Sequence, residues 1–300
     1  MTAKIKQYLL PVIMFLLFET IAITLWLILG NVFYLYNFTY IGFFVSLGIG
    51  LVIAKYKNAR IFIQFFIGLY MFVFLGLIHR ENMQIEGFFY YVTIGVFEAA
   101  AIHYLVAKIG GPFIFGRGWC GYACWTAMVL DLLPYKIPQK QPFKKLGLLR
   151  IVIFLFSLAY FLIIFIRYRE TIENIMYTSF IAGNIIYYGI GILFGYLFKD
   201  NRAFCKYFCP ITVFLKPASY FALLRIKVNN AKCISCNKCK KICPMGVDML
   251  NNKFSRKNGT ECIQCMKCAI ECPVKALSWE GEKSEKDKRY FGFCVPSFCG

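Results

Sequence analysis

Apolar residues in this chain fall in long runs separated by short basic or mixed-charge stretches. Six runs, roughly 8–29, 33–54, 61–79, 87–107, 148–167 and 179–198, are long enough to cross a bilayer as helices. The run 61–79, of 19 residues, is the shortest and carries Gln64. Two further apolar stretches are too short to span: residues 119–133 (WCGYACWTAMVLDLL) before Pro134, and ITVFLKPASYFALL after Cys209-Pro210. Both predict re-entrant or interfacial helices. Gly110, Gly111 and Pro112 predict the helix break that precedes the first of them.

The polar stretches give the expected orientation. Lys55, Lys57 and Arg60 join the second and third runs, and Lys108, Arg117, Lys136, Lys140, Lys144 and Lys145 follow the fourth, whereas the loops around Arg80–Glu86 and Arg169–Glu173 are mixed in sign. The positive-inside rule then puts both termini in the cytoplasm. Lys4 and Lys6 precede an apolar run long enough to stay in the membrane as an anchor.

Composition agrees with a chain that lies mostly in lipid: of 300 residues, 59% are hydrophobic and 19% aromatic, with mean hydropathy +0.60. The formal charge of +19 fits basic cytoplasmic loops, and without a basic stripe interleaved with stacking aromatics no nucleic-acid partner is expected.

Fourteen cysteines change the picture. Cys233, Cys236, Cys239 and Cys243-Pro244, then Cys262, Cys265, Cys268 and Cys272-Pro273, write C-x2-C-x2-C-x3-C-P twice. In that spacing three thiolates on one loop converge on a cubane and the fourth crosses to the neighbouring one. The expected sets are Cys233, Cys236, Cys239 and Cys272 on one 4Fe–4S cluster, and Cys262, Cys265, Cys268 and Cys243 on the other. Structural zinc usually shows two C-x2-C pairs with a longer spacer, which this is not. Clusters need reduced thiolates and so a cytoplasmic location.

A second motif is also duplicated. Arg117-Gly-Trp119-Cys120-Gly-Tyr122-Ala-Cys124 matches Arg202-Ala-Phe204-Cys205-Lys-Tyr207-Phe-Cys209, 85 residues later, at Arg, aromatic, Cys, Tyr and Cys. Each copy follows a two-helix hairpin, which suggests a duplicated hairpin about an axis along the membrane normal. Cysteines at i and i+4 would share one helical face, and the four would meet as a third site for a cluster, a soft metal such as zinc or copper(I), or a redox dithiol. Buried cysteines without a ligand role are the plain alternative. Arg117 and Arg202 are candidates to bond a quinone or cluster sulfur, or to anchor lipid phosphates.

Glu19 and Glu98 stand in apolar runs, where an ionisable group is costly and a functional role is the first hypothesis. Glu98 and His103 are the candidate proton-handling residues for a quinone. His79 and His103 fall near opposite ends of their helices, about 20 Å apart in depth, so a bis-His haem is not expected. Gly191 and Gly195 read as helix packing. Four units are expected: a hairpin over 1–60, the duplicated hairpin over 61–225, a two-cluster ferredoxin domain over 226–280, and a charged linker with an aromatic tail over 281–300. Cys294 and Cys299 in that tail carry no assignment.

This combination resembles the membrane-bound polyferredoxins of the NapH/NosR type, over about residues 87 to 275. In that family two cytoplasmic C-x3-C-P motifs precede a two-cluster ferredoxin domain. Cys205, Cys209 and Pro210 match one motif in full; in the other, Trp125 stands where the family has Pro. The resemblance implies electron transfer between the quinol pool and a partner redox enzyme. A related branch, the membrane ferredoxins of cytochrome oxidase assembly, implies copper reduction.

The expected fold is thus a polytopic α-helical membrane protein of about six transmembrane helices, both termini inside, with a small cytoplasmic α+β ferredoxin domain. The expected function is electron transfer between the quinone pool and a membrane or soluble redox partner. Alternatives are a copper reductase or metalloenzyme assembly factor using Cys120, Cys124, Cys205 and Cys209, and a membrane redox sensor. Lys238, Lys240, Lys241, Lys253, Arg256 and Lys257 would steer an acidic carrier such as ferredoxin or flavodoxin, or merely offset cluster charge or face anionic lipid.

Overall fold

The computed structural model describes residues 3–54, 56, 58–96, 99–139, 143, 145–251 and 256–278. Glu98, the linker and the tail with Cys294 and Cys299 lie outside them. Helices α1 (Ala3–Leu29) and α2 (Val32–Ile53) form the first hairpin. Its turn needs Gly30 at φ +66°, and Asn31 caps α2 by accepting from the Phe33 N–H at 2.9 Å. Inside the hairpin, Thr39 Oγ1 donates to Glu19 Oε2 at 3.2 Å, so this acid has a helix-pairing role. Helix α3 (Ala59–Leu69) continues as a π-helical segment, Tyr70–Ile78.

Here the structure departs from the hydropathy pattern. The run 87–107 is not one helix but two: α4 (Ile85–Ile94) and α5 (Ala99–His103), the latter continuing through a π segment (Tyr104–Gly110) into α6 (Gly111–Phe115). Gly95 ends α4 at φ +74°. Its N–H reaches Val92 O and the Val96 N–H reaches Tyr91 O, the paired bonds of a Schellman cap. Conversely, Gly110-Gly111-Pro112 does not break the chain. The preceding π turn leaves no helical bond for the missing Pro112 N–H to make, so the helix runs on to Phe115 and stops at Gly116, φ +55°.

The stretch before α4 is not a surface loop. Glu81, Asn82, Gln84 and Glu86 are all buried. Asn82 Nδ2 donates to Met176 O at 2.9 Å, and the Gln84 side chain fills the space a Cβ on Gly183 would take. Both contacts are on α10 (Ile172–Phe198); at a rise of 1.5 Å per residue, Gly183 is about 17 Å along it. Tyr90 then packs with Ile172 and Met176 at the start of α10. Residues 79–94 therefore dip beside α10 to its middle and return as a half-length helix. Irregular backbone at that depth is tolerated only when enclosed by protein.

Among the described residues, five helical stretches are long and apolar enough to cross a membrane: Pro11–Leu29, Val32–Ile53, Ala59–Ile78, Lys145–Arg167 and Ile172–Phe198; Ala100–Phe115 is a shorter apolar helix. The first apolar short stretch also divides, into α7 (Gly118–Tyr122) and α8 (Trp125–Leu130), separated by Ala123 and Cys124. Helix α9 (Leu149–Arg167) leads to α10, and the second copy follows as α11 (Ala203–Tyr207) and α12 (Thr212–Tyr220). Gly191 and Gly195 admit Leu130 and Leu133, the helix packing expected of them.

The C-terminal region is closed by β1 (Lys227–Val228) pairing antiparallel with β2 (Leu277–Ser278). Between them lie α13 (Lys238–Lys241), α14 (Lys257–Glu261) and α15 (Lys267–Ile270). One core joins this region to the helical body, holding Cys120 and Cys205 from one part and Cys239 and Cys268 from the other.

Candidate functional site

In each ferredoxin-type loop the backbone takes the same unusual course. Ser235 and Asn237 in the first, and Gln264 and Met266 in the second, stand at φ between +53° and +60°, and Gly246 and Lys275 repeat the turn after each C-P. A non-glycine residue there costs roughly 1–2 kcal/mol. Alternating right- and left-handed residues turn successive N–H groups to one side and form an anion-binding concavity of the kind that cradles iron–sulfur sites.

Cysteines of both loops meet at one cavity. Cys239, Cys243, Cys262, Cys265 and Cys268 line it with Ile226, Met245 and Ile263. Cys268 interacts electrostatically with Cys262, Cys265, Cys243 and Cys239, and Cys239 with Cys233 and Cys236. Backbone N–H groups already aim at the sulfurs of the crossing cysteines, Val247 at Cys243 (3.4 Å) and Ala276 at Cys272 (3.3 Å). Burial, and then repulsion from neighbouring thiols, pushes the Cys262 thiol up to about 12 and Cys268 higher still. Thiolates crowded this way are stable only around cations, which suits iron.

Cys120, Cys124, Cys205 and Cys209 also meet. Cys209 interacts with Cys205, Cys120 and Cys124, and Cys205 with Cys124 and Cys120. They do not meet on continuous helical faces, contrary to the i, i+4 expectation. Helix α7 stops at Tyr122, Ala123 turns at φ −139°, and Cys124 is extended; in the second copy α11 stops before Cys209. Each motif is therefore a helical turn plus a return. Burial pushes Cys205 up to about 11 and Cys209 further. Among the described residues no three His, Cys, Asp or Glu groups stand close enough to hold one metal ion. The ferredoxin cysteines share this openness, since a cubane places its four thiolates on four different irons.

The repeated arginines are structural cations, not lipid anchors: Arg117 is 0% and Arg202 1% exposed. Arg202 Nε and Nη2 grip Asp131 at 2.9 and 2.5 Å, and its Nη1 lies 3.0 Å from Cys120 O and 3.9 Å from Cys205 Sγ. Arg60 joins the same carboxylate at 2.9 Å. Arg117 pairs with Glu261, beside Cys262, and Arg150 (2.9 Å) and Lys216 (2.8 Å) bind that acid too. Burial would raise Glu261, but Arg117, Arg150 and Lys216 outweigh it and hold the carboxyl down at about 2.

These ties bring the two cysteine regions together. Gly121 lies against Ile263 O so closely that any Cβ would overlap it, Tyr122 Oη donates to Gln264 O at 3.0 Å, and Gln264 Nε2 donates to Phe115 O and Leu224 O. The loop between Cys120 and Cys124 thus touches the loop between Cys262 and Cys265. From α11, Lys206 reaches the neighbourhood of Cys243.

His103 is buried with its ring 5.0 Å from Trp119 and 6.2 Å from Trp125. Lys108 Nζ lies 5.8 and 5.9 Å from the same two rings. His103 Nε2, Trp119 Nε1 and Tyr188 Oη have no hydrogen-bond partner among the described residues, a set of unspent polar groups at the motif's inner edge. His79 packs separately on Phe33 and Phe74. On the surface, Lys240 pairs with Asp248 and Lys238 with Glu271. Sequence reasoning missed Glu86, Lys108, Asp131 and Glu261; only an acid or base within or beside an apolar run could have marked them.

Comparison with known proteins bears on both regions. A family model described as a 4Fe-4S dicluster domain matches residues 225–286. One described as a 4Fe-4S binding domain matches residues 102–144 and 186–230, so each C-x3-C motif falls in one matched segment. Uncharacterized protein MJ0750 of Methanocaldococcus jannaschii is 30% identical over 212 residues, covering 65% of this chain and 83% of the relative. Uncharacterized protein MJ0749 of the same organism is 26% identical over 171 residues, covering 55% and 66%. No solved structure matches.

Proposed function

The chain belongs to one family with MJ0750 and is an iron–sulfur protein; from that premise we propose that it is a membrane-anchored electron carrier of the NapH/NosR type. Its ferredoxin cysteines hold two 4Fe–4S clusters, divided as Cys233, Cys236, Cys239, Cys272 and Cys262, Cys265, Cys268, Cys243. Cys120, Cys124, Cys205 and Cys209 hold a third. Such clusters supply one-electron transfer at potentials set by charge, hydrogen bonds and exposure.

The observation that carries this reading is the contact of Gly121 with Ile263, which joins the two cysteine regions through touching backbone. The chain's own residues supply the rest. Arg117 and Arg202 put positive charge beside the membrane-side cysteines. The Glu261 cluster of Arg117, Arg150 and Lys216 fixes the ferredoxin region to the helical body. The polar groups of His103, Lys108 and Trp119 offer donors and an acceptor to a quinone head group. The far terminus is a redox enzyme or an acidic soluble carrier, and the ferredoxin region faces the cytoplasm, where the basic loops also lie.

The test is anaerobic. Menaquinol added to oxidised full-length protein should reduce cluster signals in EPR, and His103→Gln should slow that reduction. Clusters that dithionite reduces but menaquinol does not would remove the quinone from this reading.

A further inference from the structure

Glu86 is a buried acid that the electron path leaves without a task. It is the second residue of α4, at the foot of the re-entrant hairpin, and is 9% exposed. Its Oε2 has no hydrogen-bond partner among the described residues. Among the described residues no Lys or Arg forms an ion pair with it. An uncompensated carboxylate buried here is strongly disfavoured, and acids kept in such places typically serve proton or ion movement.

What surrounds Glu86 is a file of hydroxyls. Ser157 of α9 interacts with the carboxyl, and the same serine interacts with Tyr187 of α10. Tyr187 and Tyr104, the latter from the π segment, interact electrostatically with Glu86 on one side and with Cys209 on the other; Tyr104 also reaches Cys124. Phe88, next but one to Glu86, stacks on Tyr104 at 5.0 Å and meets Phe214 of α12. The titratable groups facing Glu86 are thus Tyr104 and Tyr187. His103 and Lys108, on the same broken helix, turn to Trp119 and Trp125 instead. Three helices each contribute one oxygen, and the file ends at the four-cysteine site.

We propose that Glu86 is the proton-accepting group coupled to reduction of the four-cysteine site. This rests on the reading of those cysteines as a redox centre. One electron arriving there from the neighbouring ferredoxin centre adds one negative charge. One proton from solvent, bound at the Glu86 carboxylate to give the carboxylic acid, cancels it. Reoxidation releases both. Because the coupling is reciprocal, a proton on Glu86 raises the affinity of the site for its electron by the factor by which the electron raises that of Glu86 for its proton. Ser157 and Tyr187 connect the two positions without changing net charge.

The experiment is a redox titration of anaerobic full-length protein, followed by EPR from pH 5 to 10, with iron content measured in every sample. In the wild type the midpoint of the four-cysteine centre should fall with pH, approaching about 59 mV per pH unit for one proton per electron. In Glu86→Gln it should be flat while both ferredoxin signals stay in place. The reduced-minus-oxidised infrared spectrum should lose a carboxyl C=O band in the same variant. Ser157→Ala removes the hydroxyl that favours the carboxylate and should move the sloping range to higher pH, which gives a second reading if Glu86→Gln folds poorly. A pH-independent wild-type midpoint, or an unchanged slope in Glu86→Gln, would overturn the proton coupling alone. Iron and signals for only two centres would overturn the redox reading of the four cysteines and the coupling with it.

Discussion

Replacing Gly121 by Ala is the most direct perturbation of the joint between the two cysteine regions. Gly121 lies in α7, and in a helix Gly→Ala ordinarily stabilises by about 0.5–1 kcal/mol. Here the added methyl would stand closer than 3.0 Å to Ile263 O, a backbone atom that cannot swing away. Overpacking of this kind costs about 1–3 kcal/mol, and separating the two loops also strains the Tyr122–Gln264 hydrogen bond, itself worth about 1 kcal/mol. The net expectation is a loss of about 1–3 kcal/mol in the docking of the ferredoxin region. Gly118, three residues earlier on the same helix, is the control, since its Cβ would meet only the Phe115 side chain at 3.7 and 3.9 Å. Thermal unfolding in detergent should therefore show Gly121→Ala below wild type and Gly118→Ala at or above it. Stopped-flow reduction should show slower electron transfer between the membrane-side and ferredoxin centres in Gly121→Ala only, with iron content retained. Equal melting temperatures and equal transfer rates in the two variants would refute the reasoning.

Other expectations concern separate parts of the molecule. Gly87→Ala would drive a methyl into the Asn82 backbone, whereas a Cβ on Gly189 meets nothing within 4 Å; the first should destabilise by about 1–3 kcal/mol and the second should not, read by thermal unfolding. Arg202→Gln leaves Asp131 buried with Arg60 alone and should cost about 3–5 kcal/mol, while Arg202→Lys, which keeps the charge but not the fork, should cost less; the same assay ranks them. Cys205→Ser should remove one EPR signal and leave the two ferredoxin signals.

The ferredoxin region was legible because ligand chemistry fixes the spacing of Cys233 to Cys272, and the 4Fe-4S dicluster domain matches there. The long helices were legible from hydropathy, with α9 beginning within a residue of its expected start. The break at Gly95 was not, because the flanking residues are apolar on both sides and glycine is common in membrane helices. For the same reason Glu86 passed for a loop residue, although it is the second residue of a buried half-helix. The repeat showed that Arg117 and Arg202 mattered but not how, since their counter-ions lie 144 and 71 residues away, Glu261 in the ferredoxin region and Asp131 just past the first motif. The stop in each C-x3-C helix depends on the turn at Ala123 and the return at Cys209, which spacing alone does not encode.

The central claim is that one chain holds a continuous set of iron–sulfur centres, from the membrane-side cysteines to the ferredoxin loops. Determination of iron, labile sulfide and zinc in anaerobically purified full-length protein, with EPR spin quantitation after full reduction, tests it most directly. The account predicts about twelve irons and about twelve sulfides per chain, four of each for every cubane, with three reducible centres and no zinc. About eight irons, with zinc, copper or free thiols at Cys120, Cys124, Cys205 and Cys209, would contradict it.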